Sequence, residues 1–202
     1  MNRMTRALCR TNGRRPRWSI DLHESFTIEG RGTVVTGRVV RGSLPKGCSV
    51  EIVGLSQETP RLVVVTGVQS FHRDRPEAKA GENVGLLLRG VGRDEIVRGQ
   101  ALVAPGSVDP HLQGEAELFV LTAKEGGRHT PFGVGYKPQF FFGATDVTGE
   151  IETIVGAASV EPGGHARVSF KLVRRVPLEA GMRFAIREGG KTVGAGAVLS
   201  VG

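Results

Sequence analysis

The sequence contains few cysteines, few aromatic residues and no long apolar run. Its 202 residues include two cysteines, Cys9 and Cys48, and 5% aromatic residues. Two cysteines without further ligands at regular spacing exclude a disulfide framework and a cysteine zinc site. The longest apolar runs, such as residues 63–65 and 140–142, fall far short of the roughly 20 residues that a membrane helix needs. We therefore expect no membrane partner.

The sequence also lacks the residue patterns of an active site or a metal centre. Its five histidines are scattered, and no two of them have the spacing of metal ligands. No serine lies in a nucleophile elbow. We expect neither a catalytic residue nor a metal ligand in this chain.

Acidic residues are missing from the first 19 positions, which hold six arginines. The remaining residues carry 21 basic and 20 acidic side chains, so most of the net charge of +7 comes from this stretch. An arginine-rich stretch can bind nucleic acid by neutralising phosphates, act as an organellar transit peptide, or form a solvated extension. We expect residues 1–19 to form a basic, disordered tail.

Short β-strands separated by turns are the dominant pattern of the remaining chain. Val35, Gly37 and Val39 alternate with Thr36 and Arg38 in a period of two, and 30 glycines and ten prolines interrupt the chain at short intervals. The densest cluster of breaking residues lies at 105–110. These patterns predict an all-β protein with two antiparallel β-barrels in tandem, residues 20–107 and residues 108–202.

Two segments resemble nucleotide-binding motifs but have the wrong context. Residues 185–192 fit a relaxed phosphate-loop pattern, yet glycine-rich β sequence follows them where a phosphate loop would open a helix. A hairpin turn is the better interpretation. Residues 146–149 form a DxxG sequence, which recurs by chance, and no Asn-Lys-x-Asp guanine motif occurs. We expect no GTP binding by this chain alone.

Longer motifs run through most of the chain. They comprise residues 26–28, 30–38, 80–85 and 88–90, and in the second half residues 125–130, 138–140, 145–149 and 183–196. In this order, the motifs resemble the second and third domains of the translation elongation factor Tu family. Residues 1–23 do not resemble the end of the family's GTPase domain.

The resemblance implies a function in protein synthesis. Members of the family deliver aminoacyl-tRNA to the ribosome in a GTP-dependent way, and their two barrels bind the acceptor end and the T stem. GTP and Mg would act only through a missing or separate GTPase domain, so no enzymatic activity is expected from this chain alone. The ribosome and the nucleotide-exchange factor Ts are further implied partners. The implied location is the bacterial cytoplasm, with a mitochondrion or plastid as the alternative.

Two other functions are compatible with the same resemblance. A free pair of barrels could serve as a protein-interaction scaffold or decoy, for example by binding the exchange factor. The chain could also be the non-functional product of a truncated gene.

The resemblance assigns candidate binding residues to each barrel. The pocket for the aminoacyl end would comprise Phe26, Thr36, Gln69, His72 and Asn83. Arg98 would contact the 5′ phosphate of the tRNA. The T-stem backbone would be contacted by Arg128, His129, Gln139, Thr148, Arg174 and Gly189.

Several candidates also have an ordinary structural explanation. Phe26 could be a core phenylalanine of the barrel. Thr36 is a common strand residue, and Asn83 could belong to a turn. Arg98 could be a turn cation, and residues 128–129 could form a solvated loop.

Two candidates depart from the family pattern. Gln69 stands where the family has a glutamate that accepts the terminal ribose 2′-hydroxyl, and a neutral acceptor should weaken that hydrogen bond by about 1 kcal/mol. His72 stands where an arginine is expected, so a permanent cation becomes one that titrates near neutrality. The residues that would contact phosphates match the family pattern more closely than the residues that would contact the terminal adenosine.

Overall fold

The computed structural model describes residues 19–28, 32–55, 61–71 and 73–202. The expected basic tail and Cys9 therefore lie outside the described residues, except for Ser19, which begins the first strand. The chain divides into two compact units between Asp109 and Pro110. Within the described ranges, no helix is long and apolar enough to span a membrane.

Unit 1 is a closed antiparallel barrel of six strands. In the order β4-β9-β1-β2-β8-β5, each strand pairs with the next and β5 pairs back with β4; β6 extends the sheet beyond β5, and β3 pairs with β7. The strands are β1 (Ser19–Ile28), β2 (Gly32–Arg41), β3 (Ser43–Pro45), β4 (Ser49–Val53), β5 (Arg61–Ser70), β6 (Arg73–Asp74), β7 (Glu77–Lys79), β8 (Asn83–Arg89) and β9 (Ala101–Val103).

Two β-bulges reverse the alternation of side chains in this barrel. In β1, the partners of Leu22 and Glu24 are adjacent on β2, so His23 is an extra residue. In β5, Val65 and Gly67 likewise face adjacent partners on β8, so Thr66 is extra. An extra residue shifts every later side chain to the opposite face of its strand. Beyond its bulge, β1 exposes Phe26 and Ile28, whereas β5 turns Gln69 outward and keeps Val68 and Ser70 buried.

Unit 2 closes a second six-stranded antiparallel barrel in the order β10-β15-β13-β12-β16-β17. A short pair, β11 with β14, lies outside this ring. The strands are β10 (His111–Val120), β11 (Phe132–Gly133), β12 (Gln139–Phe142), β13 (Thr145–Ile154), β14 (Ser159–Val160), β15 (His165–Val176), β16 (Arg183–Glu188) and β17 (Lys191–Val201). One-turn 3₁₀ helices occur at Arg93–Glu95 in unit 1 and Ala123–Glu125 in unit 2.

Phenylalanine rings fill the interior of unit 2. Phe140, Phe142, Phe170 and Phe184 are buried, and their ring centroids lie 5.2 to 6.2 Å apart. Such tilted and offset pairs are each worth about 1 kcal/mol beyond the area they bury. The prediction of an all-β protein with two antiparallel barrels is confirmed.

The structure also decides between the two interpretations of the nucleotide-like segments. Residues 185–192 run from β16 through a turn into β17, with Glu188 paired to Lys191, so the hairpin interpretation is correct. Gly149 of the DxxG sequence lies inside β13, where an added Cβ would approach Phe140 to 2.7 Å and Leu172 to 2.8 Å. This glycine is required for packing against the aromatic core.

Candidate functional site

Unit 1 carries a shallow cleft of about 190 Å³ on its outer surface. The cleft crosses strands β1, β2, β8 and β5, and its edge is formed by β6 and the turn after β3. The residues that line it are Ile28, Val34, Lys46, Thr66, Gly67, Gln69, Asp74, Gly85 and Leu87. Pockets for complete drug-sized ligands are usually 300 Å³ or larger. The cleft is therefore suited to part of a larger ligand, such as one base or sugar.

The apolar end of the cleft owes its exposure to the bulge at His23. Ile20 and Leu22 are buried in the core, whereas Phe26 and Ile28 beyond the bulge are 41% and 38% exposed. Phe26 pairs with Val34 on β2, and Val34 pairs with Leu87 on β8. Ile28, Val34 and Leu87 form apolar walls that a flat ring can contact. Because β1 has turned outward, Phe26 is not a core phenylalanine.

The polar end of the cleft is built by the hairpin of β5 and β6. The bulge at Thr66 turns Gln69 outward, and Gln69 pairs with Asp74 across the hairpin. Gln69 Nε2 donates a hydrogen bond of 2.9 Å to Asp74 Oδ1. The amide group is thereby oriented, and its carbonyl oxygen is the atom that can accept a hydrogen bond.

Lys46 adds a cation to this polar end. It follows β3, and its backbone N–H donates to the carbonyl of Pro76 at 2.9 Å. Among the described residues, no carboxylate lies within ion-pair distance of its ammonium group. The cleft thus combines apolar walls, acceptor oxygens and one positive charge.

The structure brings most candidates for the aminoacyl end onto one face of one sheet. Gln69 pairs with Gly85, and Gly85 pairs with Thr36. Asn83 lies two residues before Gly85 on β8 and is exposed. Neighbouring strands are about 4.8 Å apart, so Thr36 and Gln69 lie about 10 Å apart across the sheet. His72 lies outside the described residues.

Arg98 lies in the loop between β8 and β9, outside the cleft. Its side chain is exposed, which fits a turn cation as well as a phosphate contact. The turn is held by Gln100, which is fully buried. Gln100 accepts a hydrogen bond from the N–H of Val97 at 2.8 Å and donates one to the carbonyl of Gly54 at 3.2 Å.

In unit 2, Arg128 is held by surrounding side chains and is not a solvated loop residue. Its side chain is only 13% exposed. The guanidinium forms an ion pair with Glu188, donates to the Tyr136 hydroxyl at 3.3 Å and to the Thr130 carbonyl at 3.1 Å. It lies 4.7 Å from the centroid of the Tyr136 ring, which stacks on Phe132. Burial raises the pKa of Tyr136 to about 12, so this hydroxyl stays protonated.

A row of polar side chains crosses the outer face of unit 2 beside Arg128. Thr148 pairs with Gln139, and Gln139 pairs with Arg187. The guanidinium of Arg187 lies 4.9 Å from the centroid of the Phe141 ring and donates to the Gly190 carbonyl. Gly189 occupies the following hairpin turn with a φ of 54°. Hydroxyl, amide and guanidinium groups thus form one continuous surface.

Two further candidates lie near this row. His129 is exposed and follows Arg128 directly. Arg174 is exposed on β15, two residues beyond Leu172, which pairs with Gly149 next to Thr148. Two strand residues span about 7 Å. The structure therefore places the T-stem candidates on neighbouring strands and turns, and their contacts with RNA remain predictions.

The sequence did not identify several residues that line these surfaces. Lys46 and Asp74 form the polar end of the cleft, and Ile28 and Leu87 form its walls. Asp74 can be recognised as the partner of Gln69 only once the register of the β5–β6 hairpin is known. Across residues 19–28, 32–55, 61–71 and 73–202, no group of three or more His, Cys, Asp or Glu side chains could hold a metal ion.

Each unit matches a known protein family, unit 1 over about two thirds of its length and unit 2 over all of it. Residues 32–103 match the family described as Elongation factor Tu domain 2. Residues 107–202 match the family described as Elongation factor Tu C-terminal domain. These assignments agree with the two closed barrels and with the order of the motifs along the chain. The chain therefore belongs to the elongation factor Tu family and contains its domain 2 and its C-terminal domain.

Proposed function

We propose that this chain binds aminoacyl-tRNA, with the cleft of unit 1 receiving the terminal nucleotide and the polar row of unit 2 contacting the T stem. In this proposal the chain works in the cytoplasm as part of a translation elongation factor. GTP binding and hydrolysis would belong to a missing or separate GTPase domain, since the sequence has no Asn-Lys-x-Asp guanine motif.

The cleft is the observation that carries this proposal. A nucleotide presents a flat apolar ring, hydroxyl donors and a phosphate. The cleft offers Ile28, Val34 and Leu87 to the ring, acceptor oxygens of Gln69 and Asp74 to hydroxyls, and Lys46 to the phosphate. Its volume of about 190 Å³ fits one base or one sugar, which is the part of a tRNA end that the cleft would receive.

Unit 2 supports the same ligand through a different kind of contact. Double-helical RNA is recognised by its shape, through its phosphates and 2′-hydroxyls. Thr148, Gln139 and Arg187 provide a hydroxyl, an amide and a guanidinium in one row, which suits such contacts. None of these groups needs a particular base, as expected of a protein that accepts many tRNAs.

A filter-binding assay at several salt concentrations tests the proposal. Charged tRNA, uncharged tRNA and bulk RNA are compared as ligands of the full chain. Neutralising about four phosphates should give a slope of log K against log salt near −3. Charged tRNA should bind best. Equal binding of all three RNAs would refute the proposal.

Substitutions in unit 2 provide a second test. Arg174→Ala should weaken binding to all tRNAs alike, because a backbone contact carries no sequence information. Lys79→Ala is the matched control, since Lys79 is an exposed cation that forms an ion pair with Glu77 at 3.1 Å in unit 1. An effect of Arg174→Ala on a single acylated species would contradict a contact with the backbone.

A further inference from the structure

We propose that Asp74 is the charged acceptor for the 2′-hydroxyl of the terminal ribose, and that Gln69 holds it in position. This inference rests on the proposed function and makes it more specific. It gives the cleft a preference for an RNA end over an end that lacks the 2′-hydroxyl.

The geometry of the hairpin supports this role. Gln69 and Asp74 are cross-strand partners, and both line the cleft. The hydrogen bond from Gln69 Nε2 occupies one lone pair of Asp74 Oδ1. An ionised carboxylate has about four acceptor positions on its two oxygens, so Asp74 can accept a ligand hydroxyl while it keeps its bond to Gln69.

The charge makes Asp74 the stronger of the two acceptors. A hydrogen bond from a hydroxyl to a carboxylate is roughly twice as strong as one between neutral groups. Gln69 offers a neutral carbonyl oxygen, whereas Asp74 offers a charged one at the same end of the cleft. The weaker hydroxyl contact expected from a glutamine at position 69 is therefore offset by the neighbouring carboxylate. A 2′-hydroxyl is the group by which a protein distinguishes RNA from DNA at one nucleotide.

The hydrogen bond between Gln69 and Asp74 could also serve only to join β5 and β6. Two variants separate these roles. Asp74→Asn keeps an acceptor oxygen for Gln69 and removes the charge, whereas Asp74→Ala removes both. If the pair only joins the strands, neither variant should change how the protein distinguishes two ligands that differ by one hydroxyl.

The experiment uses the full chain and two short RNA hairpins that end in single-stranded CCA. One hairpin carries adenosine at its 3′ end, and the other carries 2′-deoxyadenosine. Wild-type protein should bind the adenosine hairpin about tenfold more tightly than the 2′-deoxyadenosine hairpin. This ratio corresponds to the low end of the range for a hydrogen bond to a charged group. This ratio should fall to about threefold in Asp74→Asn and to about one in Asp74→Ala. Asp94→Asn, an exposed aspartate of the same unit outside the cleft, should keep the wild-type ratio.

The outcomes distinguish this inference from the proposed function. If wild-type protein binds both hairpins equally well, the role of Asp74 is refuted while RNA binding stands. A wild-type ratio that survives in both Asp74 variants also refutes it. If wild-type protein binds neither hairpin and no tRNA, both the inference and the proposed function fail. Circular dichroism spectra and melting curves of each variant confirm that it is folded.

Discussion

Replacing Gln69 by glutamate should destabilise unit 1. The Nε2 atom of Gln69 lies 2.9 Å from Asp74 Oδ1, so Gln69→Glu places two carboxylates in contact and removes one hydrogen bond. The lost hydrogen bond contributes about 1 kcal/mol. Two like charges about 4 Å apart repel each other by about 1 kcal/mol in water, the value appropriate to these exposed side chains. The expected loss is about 2 kcal/mol at low salt.

Thermal unfolding followed by circular dichroism measures this loss. For a unit of this size, 1 kcal/mol corresponds to a shift of about 4–8 °C in Tm. Gln69→Glu should therefore lower Tm by about 10 °C in dilute buffer. In about 1 M salt the Debye length falls to about 3 Å, so the repulsive half of the effect should largely disappear. Acidification should also restore stability, because the repulsion raises the pKa of one carboxyl and its protonation removes the charge.

The double variant Gln69→Glu with Asp74→Asn is the matched control. It exchanges the amide and the carboxylate, so it keeps the net charge of wild type and can form the same hydrogen bond in reverse. Its Tm should return to within a few degrees of the wild-type value. If Gln69→Glu alone is as stable as wild type at low salt, the reasoning from the observed hydrogen bond is wrong.

Four further perturbations test other parts of the structure. Lys46→Met should reduce affinity for tRNA about threefold and make the salt slope shallower by about one, as expected on removing one phosphate contact. Arg128→Ala should lower the free energy of unfolding in urea by about 2 kcal/mol, because it leaves hydrogen-bond partners of the guanidinium unpaired. The hydrogen bond from Arg167 lowers the pKa of Glu115 below its ordinary value of 4.5, so its stabilising effect is lost as pH falls below that value, and Glu115→Gln should flatten the acid decline of Tm. Gly149→Ala should lower the free energy of unfolding by about 1–3 kcal/mol by overpacking the core.

Each of these measurements has a contrary outcome. If Lys46→Met and the control Lys79→Met both show the wild-type salt slope, the proposed contact between Lys46 and a phosphate is refuted. An Arg128→Ala protein as stable as wild type would mean that its ion pair and ring contacts have no net effect. Acid curves of Glu115→Gln and wild type that superimpose would contradict the lowered pKa. A Gly149→Ala protein with unchanged stability would show that the aromatic core can shift to admit a methyl group.

Much of the architecture could be predicted from the sequence. Frequent glycines and prolines, together with the period of two, are sufficient for an all-β assignment. The period of two is typical of strands, and glycines and prolines at short intervals are typical of the turns between them. The hairpin at residues 185–192 could also be predicted, since glycines follow where a helix would have to begin. The direction of Phe26 could not. Counting in twos from Ile20 and Leu22 would place Phe26 in the core, and the bulge that turns it outward depends on pairing with β2.

The candidate site was predictable only in part. The positions of Phe26, Thr36, Gln69 and Asn83 on one face follow from strand register, which the sequence does not state. Residue type alone predicts a weaker hydrogen bond between Gln69 and a ligand hydroxyl than a glutamate would form. The partner of Gln69, Asp74, becomes visible only when β5 and β6 are paired, because a hydrogen bond between side chains depends on register as well as residue type.

The extra residues in β1 and β5 have a consequence for how such a surface arises and is lost. Deleting the codon for His23 or Thr66 would remove the bulge but leave the flanking residues opposite the same partners, so Phe26 and Gln69 would still point outward. Deleting an ordinarily paired residue after the bulge, such as Ser25 or Val68, would move Phe26 or Gln69 by one ladder position and turn it toward the core, while the number and order of the strands could stay the same. An evolving copy of this gene could thus lose the recognition surface through one deletion at a paired position while keeping the scaffold.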